Sequence, residues 1–460
     1  MGWIQRVQEA IDRNRTLILD AERYLWEHPE TGYHEWKAHA YLKEKMEAMG
    51  YEVKEAGNIP GFYAELDLGK AGPCVAVLGE MDALTCPEHP CADPETGAVH
   101  ACGHHTQCAA LLGVAAALRE PGVTDGLCGK IKLMAVPAEE IIELEFRESL
   151  VRQGVVRYLQ GKPEFICRGY FDDVDMAMLI HAGKQTEGTH LKVRNGPTCG
   201  CIVKKMTFIG KAAHAGARPQ EGINALYAAT TAIAAANAIR ERFPDDEHIR
   251  FHPIITEGGG AINVIPDRVV VESYLRGARI SSMETFNQAI NNAFAGAAAA
   301  FGARLEITDW PGALPMKNEP MLRQVAKEAM ELLEGPGTCL LSTEMWSPGG
   351  TDMGNLSALM PVVQPSSSGV QGAGHSKDFM IADPELTCVV PAACLTTMLH
   401  LLLQDDAKRA AEITAGYQPA FPNTTAYIAA LNALSVKGEV VRYEKDGSIV
   451  IHCASEKQLP

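Results

Sequence analysis

The sequence is poor in the features that mark several functional classes. Lysine plus arginine (41) are outnumbered by aspartate plus glutamate (57), a net charge of −16, so the basic surface that tracks phosphates is lacking and nucleic acid is not an expected partner. A membrane-spanning stretch of about twenty uncharged apolar residues is not expected. The N-terminal stretch to Leu19 sets Trp3, Ile4, Val7, Ile11 and Leu17 among Arg6, Asp12, Arg13 and Arg15 at helical spacing, which is not a secretory leader. No membrane partner is expected. The 13 cysteines are odd in number and scattered, which excludes a regular disulfide framework and points to a reducing, cytoplasmic setting. The Gly-rich stretches at Gly258 and Pro348 lack dinucleotide or P-loop spacing, and no G-x-S-x-G elbow occurs. Internal repeats and low-complexity linkers are absent as well.

What is present is ordinary globular material. Hydrophobic residues reach 47% of 460 positions, enough for a large core, and the length favours two structural units over one. Short apolar strands begin at Cys74, Ile131 and Val174, and an apolar helix spans Ala109 to Leu118. Strands alternating with helices predict an α/β catalytic domain, a mostly parallel sheet with helices on both faces. From Gly196 to Pro315 the pattern changes. Strand-like runs (Ile202 to Ile209, His252 to Thr256, Arg268 to Leu275, Arg304 to Thr308) are interleaved with Ala-rich helices over Gly222 to Ile239 and Ser282 to Phe301. That order fits an inserted α+β, ferredoxin-like domain. The expected division is 1–195 with 316–405, an insert at 196–315, and a C-terminal extension at 406–460 with a hairpin about Asp446-Gly447.

Four groups of ligand-type residues follow apolar strands or lie in Gly-rich loops: Cys102 and His104 in H-A-C-G-H-H, Glu139 and Glu140 in V-P-A-E-E, His181 in L-I-H-A-G, and His375 in G-A-G-H-S. Singly each is weak, since paired glutamates usually face solvent and a lone histidine is usually structural. Together they read differently. In open α/β sheets the crevice lies at the carboxyl ends of strands, where these positions can converge. One of two adjacent carboxylates can bind a metal while its neighbour takes a proton from water. The loop bearing Cys86, His89, Cys91 and His100 invites a structural zinc, but its short spacings would strain a tetrahedral site.

With these residues in view, the chain resembles the dinuclear metal amidohydrolases that include aminoacylase and carboxypeptidase G, nearest to the aminobenzoyl-glutamate hydrolase branch. The matching motifs run in family order: G-E-M-D-A-L at Gly79, H-A-C-G-H at His100, P-A-E-E at Pro137, F-D-D-V-D-M-A-M-L-I-H ending at His181, G-K-A-A-H-A-G at Gly210, G-G-G-A-I-N-V-I-P-D at Gly258, T-D-M-G-N at Thr351 and G-H-S at Gly374. The resemblance implies two divalent ions, zinc or alternatively manganese. It implies Cys102 as the bridging ligand, His104 and Glu140 completing one site with it, and His181 and His375 belonging to the other. It further implies Glu139 as general base, Asp82 as a carboxylate orienting a ligand, and an insert that supports dimerisation. His214 is then the oxyanion donor to a neighbouring active site, and Asn263 and Arg276 are substrate-binding residues. The implied reaction is hydrolysis of an amide in an N-acyl, possibly aromatic-acyl, amino acid or dipeptide with a free carboxylate.

Two features depart from the family. His105 stands where many relatives carry Asp or Asn, and reads either as a donor behind the ligands or as a loop residue. The charged segment 141–168 is longer than the connection in the nearest relatives, is expected to cover the site, and weakens substrate analogy. A rival reading is an inactive relative acting as a binding or scaffold protein. Retention of Glu139 and all five candidate ligands argues against it.

Overall fold

A computed structural model of the chain describes residues 2–452. Residues 453–460 of the expected C-terminal extension lie outside the described residues. The chain divides into two compact units.

The first unit comprises the chain up to Pro197, Lys317–Ser347 and Asn355–Thr424. Its main sheet runs Val53–Glu55, Phe62–Asp67, Lys130–Val136, Cys74–Glu80, Met176–Met178, Val362–Val363. The four strands from Lys130–Val136 onward pair in parallel, whereas Val53–Glu55 and Phe62–Asp67 form an antiparallel border. Cys74–Glu80 is buried along its whole length, which explains its unbroken apolar run: both faces are covered. Helices Trp3–Glu27, His104–Arg119 and Val390–Leu403 contribute to one core with this sheet. All of His104–Leu118 is buried. A second sheet of this unit pairs His181–Lys184 in parallel with Ser366–Gln371.

The second unit comprises Thr198–Met316, Pro348–Gly354 and the chain from Thr425 onward. Its sheet runs Arg250–Phe251, Arg268–Gly277, Gly200–Ile209, Arg304–Pro311, Val436–Tyr443, Ile449–Ile451, with Ile254–Glu257 also on Arg268–Gly277. All pairs are antiparallel. On helix Ala225–Ile239 the buried positions Ala225, Ala228, Ala229, Ala232 and Ala236 recur at helical spacing and share a core with Ile280–Phe301 and the sheet. Lys204, Asp309, Asn287 and Asn291 form a buried polar network in this unit. The Lys204 Nζ donates to Asp309 Oδ1 at 2.6 Å and to both asparagine carbonyls.

Three expectations need correction. The strand expected over His252 to Thr256 is two pieces, Arg250–Phe251 and Ile254–Glu257, because Pro253 has no N–H to give the ladder. The extension from 406 is divided: Lys408–Gly416 contributes Ala410 and Ile413 to the first unit's core, while Val436–Tyr443 pairs with Arg304–Pro311 in the second. Where no membrane-length apolar run was expected, Glu385–Leu403 is 19 residues long and apolar enough to cross a membrane by length and composition. Here it is mostly buried as a core helix.

Candidate metal centre

The first unit's strands deliver the candidate residues at their carboxyl ends. Cys74–Glu80 leads into Asp82, Lys130–Val136 leads into Glu139 and Glu140, and Met176–Met178 leads into His181. Cys102 and His104 flank Gly103, whose φ of 88° lies in the left-handed region and whose added Cβ would stand 2.9 Å from that of Ala182. A side chain there would be strained and would push the helix off the strand bearing His181. His375 sits in an exposed loop with φ 60°.

These residues gather into three overlapping groups whose ligand atoms lie within 4.8 Å of one another: Cys102, His104 and His181; Cys102, Glu140 and His375; His104, Glu139 and Glu140. Cys102 Sγ is 3.5 Å from His181 Nε2, and His375 Nε2 is 3.0 Å from Glu140 Oε1. In the two groups that share Cys102, His104 stands with His181 and Glu140 with His375, while the third sets His104 beside Glu139 and Glu140. A linear motif cannot reveal such grouping, because it depends on which strand ends are neighbours.

Asp82 is fully buried and works in two directions. Its Oδ1 is 3.0 Å from His104 Nδ1, and its Oδ2 accepts from the Glu140 N–H at 2.8 Å. With Nδ1 held as donor, Nε2 of His104 is the nitrogen left to ligate. That nitrogen is 3.9 Å from Glu139 Oε2 and 3.3 Å from Glu80 Oε2. His181 Nδ1 likewise sits 2.6 Å from the Ala182 carbonyl, which leaves Nε2 toward Cys102. The set of one thiol, three imidazoles and a carboxylate, with the thiol common to two groups, fits a pair of zinc or manganese ions.

The local charges are strongly perturbed. Burial pushes the Cys102 thiol up, but His104 and His181 outweigh it and bring it down to about 6. Hydrogen bonds to Cys102 and Glu140 lift His375 to about 10. Burial raises Glu80, yet Lys162, His104 and His181 together bring it to about 2. Such concentration of shifts marks a functional site.

His105 does not face this cluster. It is buried against Glu22 of the first helix, Nε2 to Oε1 3.3 Å, with its ring against Trp26 and His100. His89 is engaged by the Phe379 carbonyl and the Cys91 N–H, and the loop around it forms no metal group among the described residues.

Sequence reasoning missed Glu80, Glu35, Gln160 and Lys162. Glu80 ends its strand two residues before Asp82, in the motif G-E-M-D. The others were not legible. Glu35 accepts from the Ala138 N–H at 2.7 Å, and Gln160 donates to the Glu139 carbonyl at 2.6 Å. They hold a backbone whose Ala138 has φ 54°. Segment 141–168, expected to cover the site, folds partly as helices Leu144–Arg152 and Gly161–Cys167 and sends buried side chains to its base.

His214, Asn263 and Arg276 belong to the second unit. His214 is exposed, and its Nδ1 accepts from the Gly216 and Ala217 N–H groups. Asn263 is exposed, with its carbonyl on the Ala215 N–H. Arg276 is partly buried over the Tyr274 ring, and its Nε is buried without a partner.

A sequence model of peptidase family M20/M25/M40 matches residues 76–393. The chain belongs to this family. The N-acetyl-L-cysteine deacetylase of Bacillus subtilis is 28% identical over 323 residues, 68% of this chain and 71% of that protein. One of the polypeptides of the p-aminobenzoyl-glutamate hydrolase of Escherichia coli is 30% identical over 289 residues, 60% of this chain and 54% of that polypeptide. Among solved structures, a dinuclear metal-binding peptidase of the M20 family from Bacillus subtilis superposes with a TM-score of 0.63 at 22% identity, covering 85% of this chain and 99% of that one. That likeness shows the fold, mixed α/β. Family M20 membership with named hydrolases among the relatives makes the chain an amidohydrolase or peptidase acting on amide bonds.

Proposed function

We propose that this protein is a metal-dependent hydrolase of N-acyl amino acids or dipeptides carrying a free carboxylate, with Glu139 as general base. One observation carries the reading: Cys102 is common to two ligand groups, and the Glu139 carboxylate stands beside the ligating edge of His104. In the partition this geometry favours, Cys102 bridges, His104 and His181 hold one ion, and Glu140 and His375 the other. Two divalent ions, zinc or alternatively manganese, would supply acidification of water and polarisation of the scissile carbonyl. Glu139 accepts the proton of the attacking water and returns it to the leaving amine nitrogen. Gln160, on the Glu139 carbonyl, and Glu35, on the Ala138 N–H, keep that carboxylate aimed.

The second unit is read as a dimerising lid. Two features support this: strand Ile254–Glu257 is exposed throughout, and Nδ1 of His214 is occupied as an acceptor, so Nε2 carries the proton needed to stabilise an oxyanion. Asn263 and Arg276 are read as the partners of the substrate's carbonyl or carboxylate. The odd number and scattered placing of the 13 cysteines support a reducing, cytoplasmic setting.

Metal analysis of purified protein, followed by a panel of N-acetyl, benzoyl and aminobenzoyl amino acids and dipeptides, tests the reading. Two equivalents of bound metal and chelator-sensitive release of amino acid are expected. Turnover that persists after complete metal removal overturns it.

A further inference from the structure

Lys162 is a fully buried lysine at the base of the candidate metal centre, and the proposed reaction leaves it without a task. Its Nζ is 2.5 Å from Glu80 Oε1, with both side chains about as inaccessible as any in the protein, at 0% and 1% exposure. Gln107 closes the arrangement: its Nε2 donates to Glu80 Oε2 at 2.8 Å, and its Oε1 accepts from the Glu80 N–H at 3.2 Å. The same Oε2 faces His104 Nε2 at 3.3 Å.

A charge pair this deep is costly to desolvate, so its presence is weak evidence of a purely stabilising role. Nor is Lys162 placed loosely. Gly161 donates its N–H to the Ala138 carbonyl at 3.0 Å, and a Cβ on Gly161 would stand 1.8 Å from the Pro137 carbonyl oxygen. The lysine is therefore carried by backbone locked to the strand exit that bears Glu139 and Glu140.

We propose that Lys162 and Gln107 hold Glu80 as a fixed carboxylate beside the metal centre, and that this charge pair sets the affinity of the centre for its cations. The inference rests on the metal-centre reading above. Its physical content is a pair of opposite signs. Removing the ammonium takes a positive charge away from the place where cations bind and frees a carboxylate to turn toward them. Removing the carboxylate leaves the ammonium facing those cations. Lys162 and Glu80 are positioning residues in this account; neither touches substrate.

The test measures zinc dissociation constants by chelator competition on the full-length protein, together with thermal melts of the metal-free forms. Lys162→Met is expected to bind zinc about tenfold tighter and Glu80→Gln about tenfold weaker, the low end of the range for partners of ligating residues. The double variant Lys162→Met/Glu80→Gln should lie within about threefold of wild type, because the two charges are lost together. A merely structural brace gives another pattern: both single variants bind more weakly, in step with their loss of metal-free melting temperature. That pattern, or unchanged affinity in both, overturns the inference. If Lys162→Met does not fold, Glu80→Gln and the double variant decide by the same signs. Wild-type protein that binds no zinc removes the metal-centre reading itself. Wild type that binds two equivalents while the variants shift in the same direction removes only the role of the charge pair.

Discussion

Cys102 Sγ lies 3.5 Å from Nε2 of His181, two residues 79 positions apart that meet because the turn before helix His104–Arg119 and the strand His181–Lys184 converge. His104, together with this His181 contact, brings the Cys102 thiol down to about 6 against its burial, whereas burial raises those of Cys74, Cys108, Cys388 and Cys394. In metal-free protein Cys102 is then mostly thiolate at neutral pH, and only the thiolate alkylates. Iodoacetamide should label Cys102 first, at a rate that is flat above neutrality and falls about tenfold per unit below about pH 6. Loading with zinc should protect it. Peptide mapping that finds a buried cysteine labelled first, or equal labelling with zinc present, contradicts the shared-ligand role.

Glu139→Gln removes the base while keeping side-chain volume. Its Oε2 is 3.9 Å from His104 Nε2, so the carboxylate is close to the ligands without being one of the two groups that share Cys102. Metal content and melting temperature should stay near wild type while kcat falls by about 10²–10⁴-fold, the usual worth of general acid–base catalysis. A fully metallated variant with wild-type turnover removes Glu139 from the mechanism.

What the sequence made legible follows from locality. Asp82, Cys102, His104, Glu139 and Glu140 each sit within a few residues of a strand end or a helix start, so strand runs, Pro137 and the Gly103 turn announced them. How the candidate ligands group in space was not legible, because it depends on strand order. Lys162 was hidden inside a charged segment expected only to cover the site, and its partner Glu80 is 82 residues away. His105 left two readings open until Glu22, on the first helix, supplied its partner. The tail hairpin was foreseen about Asp446-Gly447, but its docking on Arg304–Pro311 is a long-range pairing that no local pattern encodes.

That docking has a consequence. Strand Arg304–Pro311 would be a sheet edge without Val436–Tyr443, which pairs with it over Leu305 to Asp309. Truncation before Val436 should expose that edge as well as Leu305 and Ile307 of the core, and exposed edges recruit other strands. Size-exclusion chromatography is expected to show higher oligomers or aggregate at concentrations where full-length protein elutes as one species. An unchanged elution profile rules out edge protection by the tail.

The Lys204 network predicts a stability effect separate from the metals. Lys204 and Asp309 are buried, and the Asp309 Oδ2 also accepts from Asn287 and Asn291. Lys204→Met leaves the Asp309 carboxylate buried without its cation, a loss of about 3–5 kcal/mol for a broken buried pair. Lys204→Met/Asp309→Leu should recover much of this, since replacing both charges by apolar groups is often neutral. Denaturant melts that find the double variant no better than the single one reject the account.

His214 tests whether the second unit acts in catalysis. Because backbone N–H groups occupy its Nδ1, the ring presents Nε2–H, and one lost oxyanion donor is worth about 10²–10³-fold in kcat. His214→Ala should show that loss with metal content intact. If His214 serves the neighbouring protomer, inactive Glu139→Gln and inactive His214→Ala proteins should regain activity on mixing. In a mixed dimer, one protomer keeps Glu139 and receives the intact His214 of the other, so one site of two is complete. An arrangement within a single protomer gives no complete site in any mixture. Protomer exchange is verified by mass spectrometry of differently tagged chains. Exchange without recovered turnover therefore excludes action across the interface, while recovery toward half the wild-type rate per mixed dimer requires it.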